Sequence, residues 1–186
     1  MIIGGYPDTA QNTAEITDPI EAAQFKAQIQ YESGGKVKTE SGYYKTAYRI
    51  TDTFGTKRLQ GHDPKELTKS SEKLFNVVYG GEWGKKNLGN TEEGDGFKFR
   101  GRGYIQITGR ANYKKFGDMI GVDLISNPDR ALEPEIANKI ALAFWNTNVK
   151  GKVKDFTDTK KVTKIINGGY HGLKDREALF NKFNSK

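Results

Sequence analysis

The chain has 186 residues, 35% hydrophobic and 11% aromatic, which suits one folded domain and excludes an intrinsically disordered chain. It has no cysteine and only two histidines, so disulfides are excluded and neither a metal site nor a cofactor is expected. The formal charge of +7 favours an anionic partner such as nucleic acid, an acidic membrane or a bacterial cell wall.

The start of the chain predicts a segment outside the folded domain. Residues 1–17 are polar and rich in turn formers, so we expect an N-terminal arm or a linker to a larger protein, followed by a domain of residues 18–186. The opening MIIGG lacks the basic flank and apolar core of a signal peptide. No apolar run approaches the roughly 20 residues of a membrane span, so stable membrane insertion is not expected.

Residues 19–32 predict the first helix. Asp18 is a good N-cap, Pro19 suits the first helical position, and Glu21 completes a capping box. The glycines at 34–35 end the helix. One face of this helix carries Ala22, Phe25, Ile29 and Glu32.

Glu32 lies where this predicted helix breaks into a loop. It lies on the same face of the helix as Phe25 and Ile29. A carboxylate beside apolar side chains loses hydration and therefore stays protonated to a higher pH. Such a group suits general acid catalysis near neutral pH. The alternative is a glutamate that turns to solvent at a helix end.

Further helices follow along the chain. They are predicted at about residues 43–53 and 70–79, in a segment that ends near 120, and at 134–148, 159–166 and 173–183. The first of these is expected to turn Tyr44, Ala47, Tyr48 and Ile50 toward the core. Residues 80–103 hold eight glycines, which predicts a long structured loop with a short hairpin at 97–99 instead of a helix.

The last predicted helix contains an arginine within an apolar stripe. Arg176 shares its inner face with Leu173, Phe180 and Phe183. A buried arginine needs a carboxylate or carbonyl partner. Alternatively, Arg176 lies along the surface with only its stem packed on the core.

Four blocks of the sequence resemble glycoside hydrolase family 19, and look closest to the branch that phages use as endolysins and virion-associated lysins. They are AQIQYESGG (27–35), VYGGEWG (78–84) with EEGDGFKFRGRGYIQITGRANY (92–113), ALAFW (141–145) and INGGYHGLKDR (166–176). The resemblance covers residues 20–184. It implies a mainly α, lysozyme-like fold of two helical lobes with a substrate groove, and hydrolysis of β-1,4 bonds between N-acetylated amino sugars with inversion.

The resemblance also implies roles for individual residues. Glu32 is implied to be the general acid, although Tyr31 stands where the family commonly has histidine. Thr108 is implied to hold the nucleophilic water. Substrate contacts are expected from Tyr44, Gln106, Asn112, Asn167 and Arg176.

The second catalytic carboxylate is less clearly marked. An inverting glycosidase needs a base roughly 6.5–9.5 Å from the acid to admit a water. In the endolysin branch of the family, the loop that carries the base is shortened. Glu40 is the acidic residue that remains in this loop, so the resemblance implies that Glu40 is the base. Alternatively, Glu40 is an exposed loop glutamate, and the rival acids are Glu92, Glu93 and Asp95.

The sequence therefore predicts a peptidoglycan-degrading glycosidase, a lysozyme-like N-acetylmuramidase that acts on glycan strands as a monomer. We expect synthesis in a host bacterial cytoplasm and action on the wall from the periplasm or from a virion. The alternatives are a chitinase acting on N-acetylglucosamine polymers and a non-catalytic wall-binding module. A nucleic-acid binder is not favoured, because the basic residues are scattered and form no basic helical face.

Overall fold

The structure is a computed structural model that describes residues 15–185, so residues 1–14 of the predicted arm lie outside it. This part of the chain forms ten α-helices, two short strands that pair with each other, and three 3₁₀ helices. The mainly α fold class is confirmed. The helices are α1 (Pro19–Ser33), α2 (Ala47–Phe54), α3 (Pro64–Leu67), α4 (Ser71–Val78), α5 (Gly81–Leu88), α6 (Asp95–Lys98), α7 (Arg110–Ile120), α8 (Pro134–Asn148), α9 (Thr159–Asn167) and α10 (Leu173–Asn184). The strands are β1 (Lys38–Thr39) and β2 (Arg102–Gly103), and the 3₁₀ helices are Thr56–Leu59, Pro128–Leu132 and Lys150–Lys152.

The described residues divide into two compact units. The first unit comprises residues 15–38, 103–105 and 131–185 and contains α1, α8, α9 and α10. The second comprises residues 39–102 and 106–130 and contains α2 to α7.

In the first unit, α1 packs against α10 and against the core that surrounds α8. Phe25 and Trp145 are almost completely buried and meet edge to face, with ring centroids 5.5 Å apart. This arrangement adds to the free energy gained by burying the rings. Ile16, within the predicted arm, is also buried in this core, so residue 16 is anchored to the first unit.

The ends of α1 are as predicted, with one difference. The Asp18 carboxylate accepts a hydrogen bond from the Ile20 amide at 2.8 Å, and Gly34 ends the helix in the left-handed conformation at φ 61°. The Glu21 carboxylate, however, accepts from the indole nitrogen of Trp145 at 2.9 Å and lies 3.5 Å from the Lys150 ammonium. Glu21 therefore ties α1 to α8, a role that the capping-box prediction did not include.

The core of the second unit is built around α2 and α4. The rings of Phe75 and Tyr79 stack with centroids 5.4 Å apart. The prediction that Tyr48 faces this core is wrong, because its side chain is 73% exposed. Helix α2 begins after the N-cap Thr46, and Ile50 and Phe54, four residues apart, form its buried face.

The loop predicted at residues 80–103 is also wrong, because α5, α6 and β2 lie there and no hairpin forms at 97–99. The glycines of this stretch allow close contacts and do not simply break helices. A Cβ at Gly84 would lie 2.0 Å from the Tyr79 carbonyl oxygen, and one at Gly96 would lie 2.3 Å from that of Phe75. Glycine is required there because no side chain fits.

No helix within residues 15–185 combines the length and apolar character needed to cross a membrane.

Candidate active site

Glu32 lies in the last turn of α1, where its carboxylate pairs with a buried arginine. The Arg176 guanidinium of α10 is completely buried and donates to Glu32 Oε1 at 2.5 Å. The Glu32 side chain is 30% exposed. The carboxylate partner predicted for Arg176 is therefore present, whereas the apolar surroundings expected for Glu32 are replaced on one side by a guanidinium.

Arg176 is held from several directions within the first unit. Its Nη1 donates to the side-chain oxygen of Gln28 at 2.6 Å, and its Nε donates to the carbonyl of His171 at 3.1 Å. The guanidinium carbon lies 4.1 Å from the centroid of the Tyr31 ring, within the range of a cation–π contact. Each nitrogen of the guanidinium thus has a partner, and the group that faces Glu32 is rigidly placed.

The orientation of the Gln28 amide is set by a chain of buried hydrogen bonds. Gln28 donates to Gln24 Oε1 at 3.0 Å and to the Thr163 hydroxyl at 3.3 Å. Gln24 in turn donates to the Phe156 carbonyl at 2.8 Å and to the Thr159 hydroxyl at 2.9 Å. Because both hydrogens of the Gln28 amide nitrogen are donated, the Gln28 oxygen is left to accept from the guanidinium.

Tyr31 departs from the family pattern but has a defined place beside the acid. Its hydroxyl lies 3.2 Å from Nδ1 of His171, and its ring packs against Arg176. A Cβ at Gly172, whose φ is +69°, would lie 2.0 Å from the Tyr31 hydroxyl, so glycine is needed for this approach.

Glu40 lies in the second unit just after β1, and both of its carboxylate oxygens are engaged. Oε1 accepts from the Tyr79 hydroxyl at 2.8 Å, and Oε2 accepts from the Gly101 amide at 3.2 Å. Burial, together with the charge of Glu40, raises the pKa of Tyr79 far above its usual value, so the phenol remains a donor. Glu40 is only partly exposed, so it is not the freely solvated loop glutamate of the alternative.

Two predicted site residues, Gln106 and Thr108, lie close to Glu40 beside Gly101. A Cβ on Gly101 would lie 3.0 Å from Gln106 Oε1, 3.2 Å from Glu40 Oε2 and 3.4 Å from Thr108 Oγ1. The three oxygens therefore surround one small volume. Gln106 itself has a φ of 53°, a conformation that costs a non-glycine residue on the order of 1 kcal/mol or more and is concentrated at functional sites.

The other residues that were predicted to contact the substrate differ in position and exposure. Tyr44 lies edge-on to Phe54 at 5.6 Å, and its pKa is raised by burial and then by the charge of Glu40. Asn112 donates to the Thr108 carbonyl at 2.9 Å, which supports the Thr108 loop. Asn167 is exposed at the C-terminal end of α9, in the first unit.

The rival acids differ in how they are engaged. Asp95 is 2% exposed, and both of its oxygens accept from Arg110 at 2.7 Å. Burial opposes its ionisation, but the hydrogen bonds from Arg110 and from backbone amides outweigh burial, so the pKa of Asp95 lies below its usual value. Glu92 is paired with the same arginine at 2.6 Å, whereas Glu93 is exposed. The role of Asp95 is therefore structural, because its carboxylate holds the Arg110 guanidinium in place.

Sequence reasoning did not single out the residues that hold the two candidate carboxylates. Tyr79 was placed only as a helix end, although it donates to Glu40 across 39 positions of sequence. The guanidinium of Arg58 lies 3.9 Å from the Trp83 ring centroid and 5.2 Å from that of Tyr79, and none of the predicted helices includes Arg58. The available signal for Gln28 was its position in α1, three residues after Phe25 and four before Glu32, which places a polar side chain at the edge of the apolar stripe.

Comparison with known proteins identifies the family. The family model described as chitinase class I, the glycoside hydrolase family 19 domain, matches residues 4–161. The chain belongs to glycoside hydrolase family 19. The match begins within the predicted arm and ends before the INGGYHGLKDR block that carries Arg176.

Relatives of this family 19 chain occur in bacteria and plants. A glycosyl hydrolase family 19 domain-containing protein of Haemophilus influenzae is 32% identical over 170 residues, which are 90% of this chain and 80% of the relative. Endochitinase 4 of Solanum tuberosum is 34% identical over 146 residues, 77% of this chain. The matched region is only 39% of the potato protein and, for a rice chitinase, 54%.

Solved structures show the same fold. Chitinase C of Streptomyces griseus superposes with a TM-score of 0.52 at 20% identity, covering 97% of this chain and 64% of that one. The class IV chitinase of Zea mays gives 0.52 at 19% identity, covering 97% and 74%. The predicted family and its lysozyme-like fold are confirmed, and membership supports hydrolysis of glycosidic bonds. The phage branch stays a prediction.

Proposed function

We propose that this family 19 domain hydrolyses β-1,4 bonds between N-acetylated amino sugars in peptidoglycan, with inversion, as a lysozyme-like N-acetylmuramidase. The observation that carries the proposal is the grouping of Glu40, Gln106 and Thr108 around Gly101. A carboxylate beside a hydroxyl and an amide is the set of groups that can hold and deprotonate a water.

In this mechanism Glu40 is the general base. The water donates one hydrogen bond to Glu40 Oε2 and another to the Thr108 hydroxyl, which itself donates to the Gln106 carbonyl at 3.0 Å. As the water oxygen attacks the anomeric carbon, its proton passes to Glu40. The bond from the Tyr79 hydroxyl keeps the carboxylate from rotating away from the water.

Glu32 is the general acid of the same mechanism. It donates its proton to the glycosidic oxygen as the bond to the leaving sugar breaks. The carboxylate that this step creates is stabilised by Arg176, whose position is already fixed before the reaction. Tyr44, Asn112 and Asn167 are proposed to contact the sugars.

The formal charge of +7 supports the choice of peptidoglycan, an anionic polymer, over neutral chitin. The second candidate is a chitinase, which is favoured by relatives and fold neighbours named as chitinases. From the resemblance of the four sequence blocks, we also propose that the domain is an endolysin or a virion-associated lysin that acts on the wall as a monomer, from the periplasm or from a virion.

The bond that is cut can be identified from the new chain ends. Purified Gram-negative peptidoglycan is digested, the products are reduced with borohydride, and the reduced ends are identified by mass spectrometry. Muramitol ends that are absent with Glu32→Gln are expected. Glucosaminitol ends would contradict the muramidase assignment, and products only from N-acetylglucosamine oligomers would establish the chitinase. Glu93→Gln, which changes an exposed acid, is the matched control and should retain activity.

A further inference from the structure

Two lysines of α9 converge on one exposed aromatic ring in the first unit. The ammonium of Lys160 lies 5.2 Å from the centroid of the Tyr170 ring, and that of Lys164 lies 5.8 Å from it. The Tyr170 side chain is 48% exposed. We call Lys160, Lys164 and Tyr170 the lysine–tyrosine patch.

Among the described residues, no ion pair occupies the lysines of this patch. Within residues 15–185, neither lysine forms an ion pair with a carboxylate. Asp158, the nearest acid in sequence, is used as the N-cap of α9 and accepts from the Lys161 amide at 2.9 Å. Two like charges four residues apart on a helix repel each other, and here both also approach the same ring. An anion bound between them would remove this repulsion.

The patch is connected to the candidate acid through His171. Tyr170 directly precedes His171, whose carbonyl accepts from Arg176 and whose ring contacts the Tyr31 hydroxyl. Arg176 in turn pairs with Glu32. Tyr170 and Glu32 therefore belong to one connected group of residues within the first unit.

We propose that the lysine–tyrosine patch is a subsite for glycan strands that carry carboxylates, namely the free carboxylates of peptidoglycan peptide stems. The two ammonium groups bind the carboxylate, and the exposed ring of Tyr170 packs against the sugar. Ammonium groups and an aromatic surface together match a charged glycan, whereas chitin offers only the sugar. This inference rests on the proposed function and adds the feature by which the domain prefers an anionic strand.

Binding to insoluble sacculi tests the subsite without requiring cleavage. Cosedimentation is measured for the Glu32→Gln protein and, on ice, for the wild type, with native sacculi and with sacculi whose carboxylates have been amidated. The double substitution Lys160→Gln/Lys164→Gln should weaken binding to native sacculi about fivefold and leave binding to amidated sacculi unchanged. The double substitution Lys152→Gln/Lys154→Gln is the matched control, because it removes the same charge from two exposed lysines that precede α9 in the first unit.

The outcomes separate this inference from the proposed function. Equal weakening by both double substitutions would mean that only net charge matters, and would overturn the subsite. So would equal weakening on amidated sacculi, or no change on native sacculi. If the wild type cleaves no peptidoglycan, the proposed function fails, but the binding result still decides whether the patch recognises carboxylates.

Discussion

Arg176 shows how one buried residue can define a candidate catalytic group. A guanidinium without exposure must have all its nitrogens satisfied, and here the partners are a carboxylate, an amide and a carbonyl. Since two of these partners lie on α1, the arginine fixes where the end of that helix presents Glu32. The same contacts that stabilise the fold thus position the acid.

Gln28 should affect turnover through Arg176 although it is buried away from any sugar. Replacing Gln28 by Met, of similar size, removes the acceptor at 2.6 Å and lets the guanidinium shift relative to Glu32. We expect kcat to fall about 10- to 100-fold with little change in KM. Steady-state kinetics well below the Tm measure this effect.

Thr163→Val is the control for a purely structural effect of Gln28→Met. It removes the weaker 3.3 Å acceptor of Gln28 but leaves the bond from Arg176. Both changes should cost about 1–2 kcal/mol of stability. If Thr163→Val lowers kcat as much as Gln28→Met does, the positioning role is contradicted.

At the scale of the helices, the sequence predicted those that have their own start and stop signals. Helix α1 begins at Pro19 after Asp18, as expected, and α7 and α9 end at Gly121 and Gly168 in the left-handed conformation, close to the predicted ends near 120 and at 166. Helix α5 was missed because glycine was counted only as a helix breaker. Its Gly84 is instead required by the Tyr79 carbonyl, a contact that no local pattern reveals.

For the candidate site, too, the sequence predicted what depends on local patterns and missed what depends on tertiary contacts. The carboxylate partner of Arg176 follows from an arginine in an apolar stripe, which is local information. The hydrogen bond from Tyr79 to Glu40 joins residues 39 positions apart, so it depends on tertiary packing and could not be derived from spacing.

Gly84 should therefore be intolerant of even a methyl group. Gly84→Ala places a Cβ 2.0 Å from the Tyr79 carbonyl oxygen, so α5 must shift at a cost of about 2 kcal/mol. Differential scanning fluorimetry should show a Tm about 5 °C lower. Gly151→Ala, whose Cβ meets nothing within 4 Å, should leave the Tm nearly unchanged. Equal effects at the two positions would refute the packing explanation.

The ion pair between Asp95 and Arg110 should make the stability of the protein depend on pH. The pKa of Asp95 is lowered in the folded protein, so its contribution is complete above about pH 5 and is lost as the pH falls through the folded value. Asp95→Asn should lower the stability by about 2 kcal/mol at pH 7 and by less near pH 3. Urea unfolding at both pH values measures this difference.

An exposed ion pair supplies the comparison for Asp95. Glu66 lies 2.6 Å from Lys69, and both side chains are more than half exposed. Glu66→Gln should therefore change the stability by less than about 1 kcal/mol at either pH. A loss with Asp95→Asn that is the same at pH 3 as at pH 7 would show that ionisation of Asp95 does not stabilise the fold.

At the scale of the whole molecule, each compact unit carries one of the two candidate carboxylates. The first unit holds Glu32 with Arg176, and the second holds Glu40 with Thr108 and Gln106. An acid and a base with separate supporting contacts can be altered independently. The central claim of the proposed mechanism, that Glu32 donates a proton and Glu40 removes one, can therefore be tested by pairing variants with substrates.

The most direct measurement compares Glu32→Gln and Glu40→Gln on two N-acetylated glycosides of equal length, one with a sugar leaving group and one with a nitrophenolate. Loss of either proton-transfer group should cost about 10²–10⁴-fold on the sugar substrate. Because nitrophenolate leaves without protonation, it should restore most of the rate of Glu32→Gln and none of the rate of Glu40→Gln. Restoration of Glu40→Gln, or wild-type activity of that variant on the sugar substrate, would contradict the assignment of acid and base.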